Sequence, residues 1–174
     1  MQTNPLGVPA HQHQNGGGWV ADTATVDSTA YVGPDARVYG NARVYGNSYV
    51  YGNSYVYGNA RVGGDAYVYG NSYVYGDAYV SGNARVSGNA RVSGNARATG
   101  SQDYIVIGPI GSEDQFITLA RTETGHTLTI GCWQDHTVDE LAAEVQRRAP
   151  GHIAEYAAAE HMIRARIATW EANR

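Results

Sequence analysis

Valine stands on every sixth position from Val20 to Val92, and Ala98 takes the following beat. Four places after each Val comes a small residue: Ala24, Ala30, Ala36 and Ala42, then Ser48, Ser54 and so on to Ala96. Gly and then Asn or Asp follow most of the valines from Val38 onward, as in Gly40-Asn41, Gly46-Asn47 and Gly64-Asp65. A helix would space its apolar residues three and four apart. A half-buried strand would alternate apolar and polar along its whole length. Here alternation lasts only through a triplet such as Tyr49-Val50-Tyr51 before Gly and Asn intervene. Those two residues tolerate the backbone angles of a corner. Each hexad therefore reads as a very short strand plus a corner.

Three hexads close a triangular coil of 18 residues, and the next coil sits one strand spacing, ~4.8 Å, above it. Val and the small residue four places on point inward, and the residues flanking Val point outward. Residues 20–99 make about 4.4 such coils, a prism roughly 20 Å tall. The period alone leaves open a solenoid of either hand or of another coil length. A flexible Gly-rich segment is the reading it disfavours, because a disordered chain has no use for a regular valine.

Stacking the hexads 18 apart distributes the tyrosines. One face carries Arg37 and Tyr39, Tyr55 and Tyr57, Tyr73 and Tyr75, then Arg91 and Ser93. The next carries Tyr31, then Tyr49 and Tyr51, Tyr67 and Tyr69, and Arg85. The third, with Arg43, Tyr45, Arg61 and Tyr79, is poorer in Tyr. Aromatic ladders are thus expected on two faces. Tyr favours strands, stacks on its neighbours and keeps its hydroxyl wet, so a structural role accounts for part of this. A broad exposed aromatic face also marks an interface. The candidate binding residues are Tyr39, Tyr49, Tyr51, Tyr55, Tyr57, Tyr67, Tyr69, Tyr73 and Tyr75, with Arg37, Arg85 and Arg91 at the rim.

The repeat "VYGNSYVYGNSYVYG" resembles the hexapeptide-repeat family, and that resemblance implies a left-handed parallel β-helix. It also implies side-by-side trimers, since members of the family commonly pack that way. Two activities come with it. Acyltransferases of this type use a His as general base, often on a loop that interrupts the repeat, and carbonic anhydrases of the same fold hold zinc with three His. Residues 20–99 contain no His, Cys or Glu, and no loop breaks the hexads, so neither site can be assembled there.

After Gly100 the six-residue period ends. "DYIVIGPIG", "QFITLART" and "HTLTIGCW" read as three strands. A helix follows the capping-box sequence Thr137–Glu140, with Val138, Leu141, Ala142, Val145 and Ala149 on one side. Pro150-Gly151 breaks it. A second helix runs from about Ile153 to Trp170, with Ile153, Tyr156, Ala157, Ile163, Ile167 and Trp170 as its stripe. Residues 104–170 resemble a C-terminal domain of bacteriophage and prophage proteins that often carry "VYGNARVYGNA" repeats ahead of it. Trp133 and Glu113 depart from that pattern, where Phe and a basic residue would be usual. The resemblance implies a phage setting and no particular reaction.

Isolated chemistry is sparse. Cys132 could act as a nucleophile with His126 or His136 and Asp135, but a small core residue is the simpler expectation. The turn Gly108–Ser112 could cradle an anion through backbone N–H groups, or merely start a strand. His11 and His13 could hold a metal as a pair, though a polar tail explains them as well. A single cysteine excludes an intrachain disulfide.

Composition changes the picture little. All 12 basic residues are Arg, and the net charge of −4 names no partner. The prism's Arg are spread over three faces, so no basic stripe tracks a phosphate backbone, which argues against nucleic acid. The start lacks the basic and apolar regions of a secretion signal, and no apolar run is long enough to span a membrane.

The expected architecture is mainly β: a flexible segment at 1–19, the β-helix at 20–99, and a small α+β domain at 100–174. The expected function is non-enzymatic, with no metal or cofactor. A rigid prism would use its Tyr ladders to oligomerise or to bind a protein, carbohydrate or nucleotide, in the host bacterial cytoplasm or the virion. Sequestration of a small nucleotide between subunits is one alternative. A relative of the hexapeptide acyltransferases is the other, disfavoured for want of His.

Overall fold

The computed structural model describes residues 4–173. Two-residue strands recur every six residues from Thr25–Val26 to Arg97–Ala98, and strand Trp19–Ala21 precedes them. They stack into three parallel sheets around a β-solenoid of about four turns. Every pairing joins residues 18 apart, as Trp19 with Arg37, Tyr55 with Tyr73, and Val68 with Val86. An 18-residue coil without insertion is therefore the observed geometry.

The interior is built from the two residue types that the period selects. Every Val from Val32 to Val92 is fully buried, as is Ala98. Ala and Ser fill the other inward position. Ser48, Ser54 and Ser72 are fully buried, and their hydroxyls bond to backbone carbonyls, Ser54 to Tyr51 O at 2.9 Å. That satisfies a polar group that burial would otherwise penalise. Val26 and Ala24, in the first coil, are only partly buried because no coil lies beneath them.

The corners have a reason for Gly. At Gly58 the backbone has φ 70°, and a Cβ would lie 3.0 Å from Gly76 N. Both the left-handed angle and the rung above exclude a side chain. Several of the Asn and Asp residues that follow a corner Gly meet their counterpart 18 residues on. Asn59 Nδ2 donates to Asp77 Oδ1 at 3.0 Å, and Asn41, Asn47, Asn53 and Asn71 make longer contacts of the same kind.

The N-terminal segment departs from expectation. Residues 1–19 were expected to be flexible throughout, yet Ala10–Gln12 forms a strand antiparallel to Trp19–Ala21. His13 is buried, with its ring at Asn15 O, and Asn15 Nδ2 bonds to Ala30 O at 3.0 Å. These groups cover first-coil backbone that has no coil below it. Residues 1–3 lie outside the described residues.

The C-terminal unit is a four-stranded antiparallel meander, Tyr104–Ile110, Gln115–Arg121, His126–Ile130 and Trp133–His136. It carries two helices, α1 (Val138–Arg148) and α2 (Ile153–Ala172), joined through a turn at Pro150–His152. The expectation of three strands missed Trp133–His136. Gly131, at φ 57°, turns the chain within two residues and starts a fourth strand where one continuous strand was read.

Strand Gln115–Arg121 shows why this unit sits where it does. Ile117 and Leu119 face the helices and join Leu128, Leu141, Val145, Ile163 and Trp170 in a second core. The alternate residues face the solenoid: Ala120 belongs to the core of the prism, and Thr118 Oγ1 accepts the Arg91 backbone N–H at 2.9 Å. In the coils below, that position is a carbonyl of the next rung, as in Tyr73 N to Ala90 O. The sheet thus replaces a missing coil.

The helix stripes are narrower than expected. Leu141, Val145 and Val138 are buried in α1 while Ala142 is exposed. In α2 the buried residues are Tyr156, Ala159, Ile163 and Trp170. Ile153 and Ala157 are exposed because α2 turns its opposite side to solvent at that end. Among the described residues, no helix is long and apolar enough to cross a membrane.

Candidate functional site: the tyrosine columns

The rings form columns along the prism axis because each outward position is repeated 18 residues later. On the first face Tyr39, Tyr57 and Tyr75 stack with centroids 4.9 and 5.0 Å apart and planes within 2°. Beside them Tyr55 stacks on Tyr73 at 4.9 Å. On the second face Tyr49 stacks on Tyr67 at 5.0 Å and Tyr51 on Tyr69 at 5.1 Å, while Tyr31 tilts 33° against Tyr49. Both expected ladders are therefore present.

Their orientation decides what they can do. Parallel rings stacked along the axis turn their faces toward each other. Solvent meets their edges and hydroxyls. Within a column, then, there is no free ring face on which a base or sugar could lie. The guanidinium groups extend the same stacks. Arg37 lies over Tyr55, Arg91 over Tyr73 and Arg85 over Tyr67, each 5.2 to 5.5 Å from the ring centroid. Arg91 is further tied to the C-terminal unit, its Nη1 donating to Gly131 O at 3.0 Å.

Of the twelve candidate residues, Tyr75 is placed differently from the rest. It is 9 % exposed, so it is not part of an open surface. Most of the others are half-buried by their stacked neighbours, and Tyr49 is the most open Tyr at 41 %. Burial raises the Tyr39 and Tyr51 hydroxyls above the ordinary phenol range and pushes Tyr57 up to about 12, reinforced by the neighbouring phenols. These groups are neutral donors and acceptors at any ordinary pH.

The third face holds a pair not anticipated from sequence. The Tyr45 ring lies across Gly63, where a Cβ would collide with it. Burial, and then the neighbouring Tyr79 hydroxyl, raise Tyr45 to about 12, while the Tyr45 hydroxyl lowers Tyr79. The available signal was Gly63 itself, a strand-flanking Gly where most hexads have Tyr or Ser.

Among the described residues, Cys132, His126, His136 and Asp135 each have partners other than one another. Cys132, expected in the core, is exposed in the turn after Gly131, and Arg148 Nη1 contacts its Sγ at 3.4 Å. His126 Nε2 accepts the Val138 N–H at 3.1 Å, and His136 stacks on Trp133 and meets Glu140. Asp135 is held at Ser93. Gly108–Ile110, expected in a turn, end the strand Tyr104–Ile110; in the turn that follows, the Gly111 N–H donates to Glu155 Oε2 at 3.0 Å, so the chain's own carboxylate takes the anion position. His11 pairs with Asp22 at 3.0 Å, apart in role from His13.

Coil, register and columns together define a repeat β-solenoid protein. More particularly, residues 36–53 and 78–94 match the model of the YdcK beta solenoid repeat. No curated protein and no solved structure matches the chain.

Proposed function

We propose that this chain is a non-catalytic scaffold whose tyrosine columns bind a flat partner, and that the partner is a second copy of the chain. The observation that carries this is the 4.9 to 5.1 Å spacing of the stacked phenols. A surface of ring edges and hydroxyls with that repeat is matched rung for rung by a partner with the same repeat. Another β-solenoid has it by construction, because the strand spacing sets it. Tyr edges offer apolar contact and a hydrogen bond together, the combination favoured at interfaces. Three copies packed prism to prism is the arrangement implied by the hexapeptide resemblance. The setting is a phage or prophage protein acting in the host cytoplasm or the virion, on the resemblance of residues 104–170. Nucleotide sequestration is less well supported, since stacking covers the ring faces inside each column.

The test is a mass measurement by light scattering on the wild type and on Tyr51→Ser with Tyr69→Ser. The wild type is expected to be oligomeric. The double variant should keep the circular dichroism of the wild type and shift toward the monomer mass of 18.6 kDa. A monomeric wild type, or a variant of unchanged mass, overturns the proposal.

A further inference from the structure

The C-terminal unit contains a cavity of about 280 Å³ that the tyrosine columns do not touch. It opens between the turn after Gly111, the Gly131-Cys132 turn and the inner side of α1. Its floor is apolar, made by Ile130, Trp133, Leu141 and Val145. Its rim carries Glu113, Glu144, Arg148 and Cys132.

Two features mark it as more than a packing gap. Tyr156 lines it at 7 % exposure, and its hydroxyl has no protein hydrogen-bond partner among the described residues. The hydroxyl is not sealed in the core but opens on the cavity, where it is available to a ligand. Secondly, the rim charges are unevenly matched. Glu144 is paired twice, with Arg147 at 2.7 Å and with Arg148. Glu113 meets only the neutral Gln115 amide, at 3.1 Å, and has no ion pair among the described residues. Glu113 lines the same space as Tyr156 and Arg148. Glu144 is thus matched, and Glu113 is the lining carboxylate without a counterion among the described residues.

From this geometry we infer that the cavity binds a small primary amine with an apolar or aromatic body. The ammonium group donates to the Glu113 carboxylate and the Tyr156 hydroxyl oxygen. The body packs on Trp133, Leu141 and Val145, and the cation gains from the adjacent aromatic rings. A carboxylate-bearing ligand of the same shape is repelled by Glu113. Cys132 stands at the mouth, where an occupant shields its thiol.

The experiment uses 2-phenylethylamine as the probe and 3-phenylpropionate as its counterpart of opposite charge. Calorimetry on the full-length protein is expected to show saturable binding of the amine and none of the acid. Saturation should slow alkylation of Cys132 by iodoacetamide, read by mass spectrometry. Glu113→Gln, at an exposed rim position, should weaken amine binding at least about tenfold by removing a charge-assisted hydrogen bond. Its thermal unfolding should match the wild type. Equal or tighter binding of the acid, no binding of the amine, unaltered alkylation at saturation, or a Glu113→Gln protein of undiminished affinity each overturns the inference.

Discussion

At the scale of the residue, the protein depends on what each repeated position can accept. Tyr57 lies between two other rings, and burial pushes its hydroxyl up to about 12 from an ordinary value of 10.0. The folded state therefore keeps a proton that the unfolded chain releases. This contribution to stability is complete below pH 10 and is lost as the pH rises through 12. Phenolate absorbance followed against pH should show late-titrating tyrosines, and the melting temperature should fall across that interval. Tyr57→Phe should reduce the steepness of that fall. The corner glycines give a second prediction. Gly58 and Gly88 share a left-handed backbone, but a Cβ at Gly58 would press on Gly76, whereas at Gly88 it would meet open space. Gly88→Ala should cost about 1 kcal/mol for the backbone angle alone. Gly58→Ala should cost more, up to about 3 kcal/mol, as read from denaturant midpoints.

At the scale of the element, legibility followed repetition. The solenoid could be read from sequence because one residue error would move Val from the core to the surface, and the same constraint recurs in every hexad. The ladders followed from the same arithmetic. Ring orientation did not, because it depends on side-chain rotamers, and it is what removes base stacking within the columns. In the C-terminal unit each element is specified only once, and the reading was weaker. Nothing in "HTLTIGCW" marks Gly131 as a turn, so the sequence does not separate Trp133–His136 and Cys132 reads as a core residue. Thr118 and Thr129 are polar residues that alternate with Ile117, Leu119, Leu128 and Ile130 along their strands. They are buried because that side meets the end of the prism, a long-range fact that no local pattern carries. The cavity wall likewise combines Glu113, Trp133, Val145 and Tyr156, which no spacing rule connects.

At the scale of the whole molecule, the two units share one boundary. The Arg91 N–H bonds to Thr118, Ser93 Oγ lies 2.8 Å from Thr129 Oγ1, and Asp103 accepts from the Thr99 and Gly100 N–H groups at 2.8 and 2.9 Å. Thr118→Val keeps the volume and removes the acceptor. It should leave a buried donor unpaired and cost about 1–3 kcal/mol, measured by chemical denaturation. If the boundary binds the units into one cooperative structure, a probe in the prism and one in the helices should shift together in that variant.

The direction of the strand hydrogen bonds carries a further consequence. Each rung donates toward the C-terminal end, as Tyr55 does to Ser72 O and Tyr73 to Ala90 O. In the last coil the Arg91 N–H is met by Thr118, and the Thr99 and Gly100 N–H groups by Asp103, instead of by another rung. The tower therefore has a roof. Storeys from a neighbouring molecule meet the meander there, with Ala120, Tyr104 and Val106 packed on the core of the prism, so growth into a filament by vertical addition is obstructed at that end.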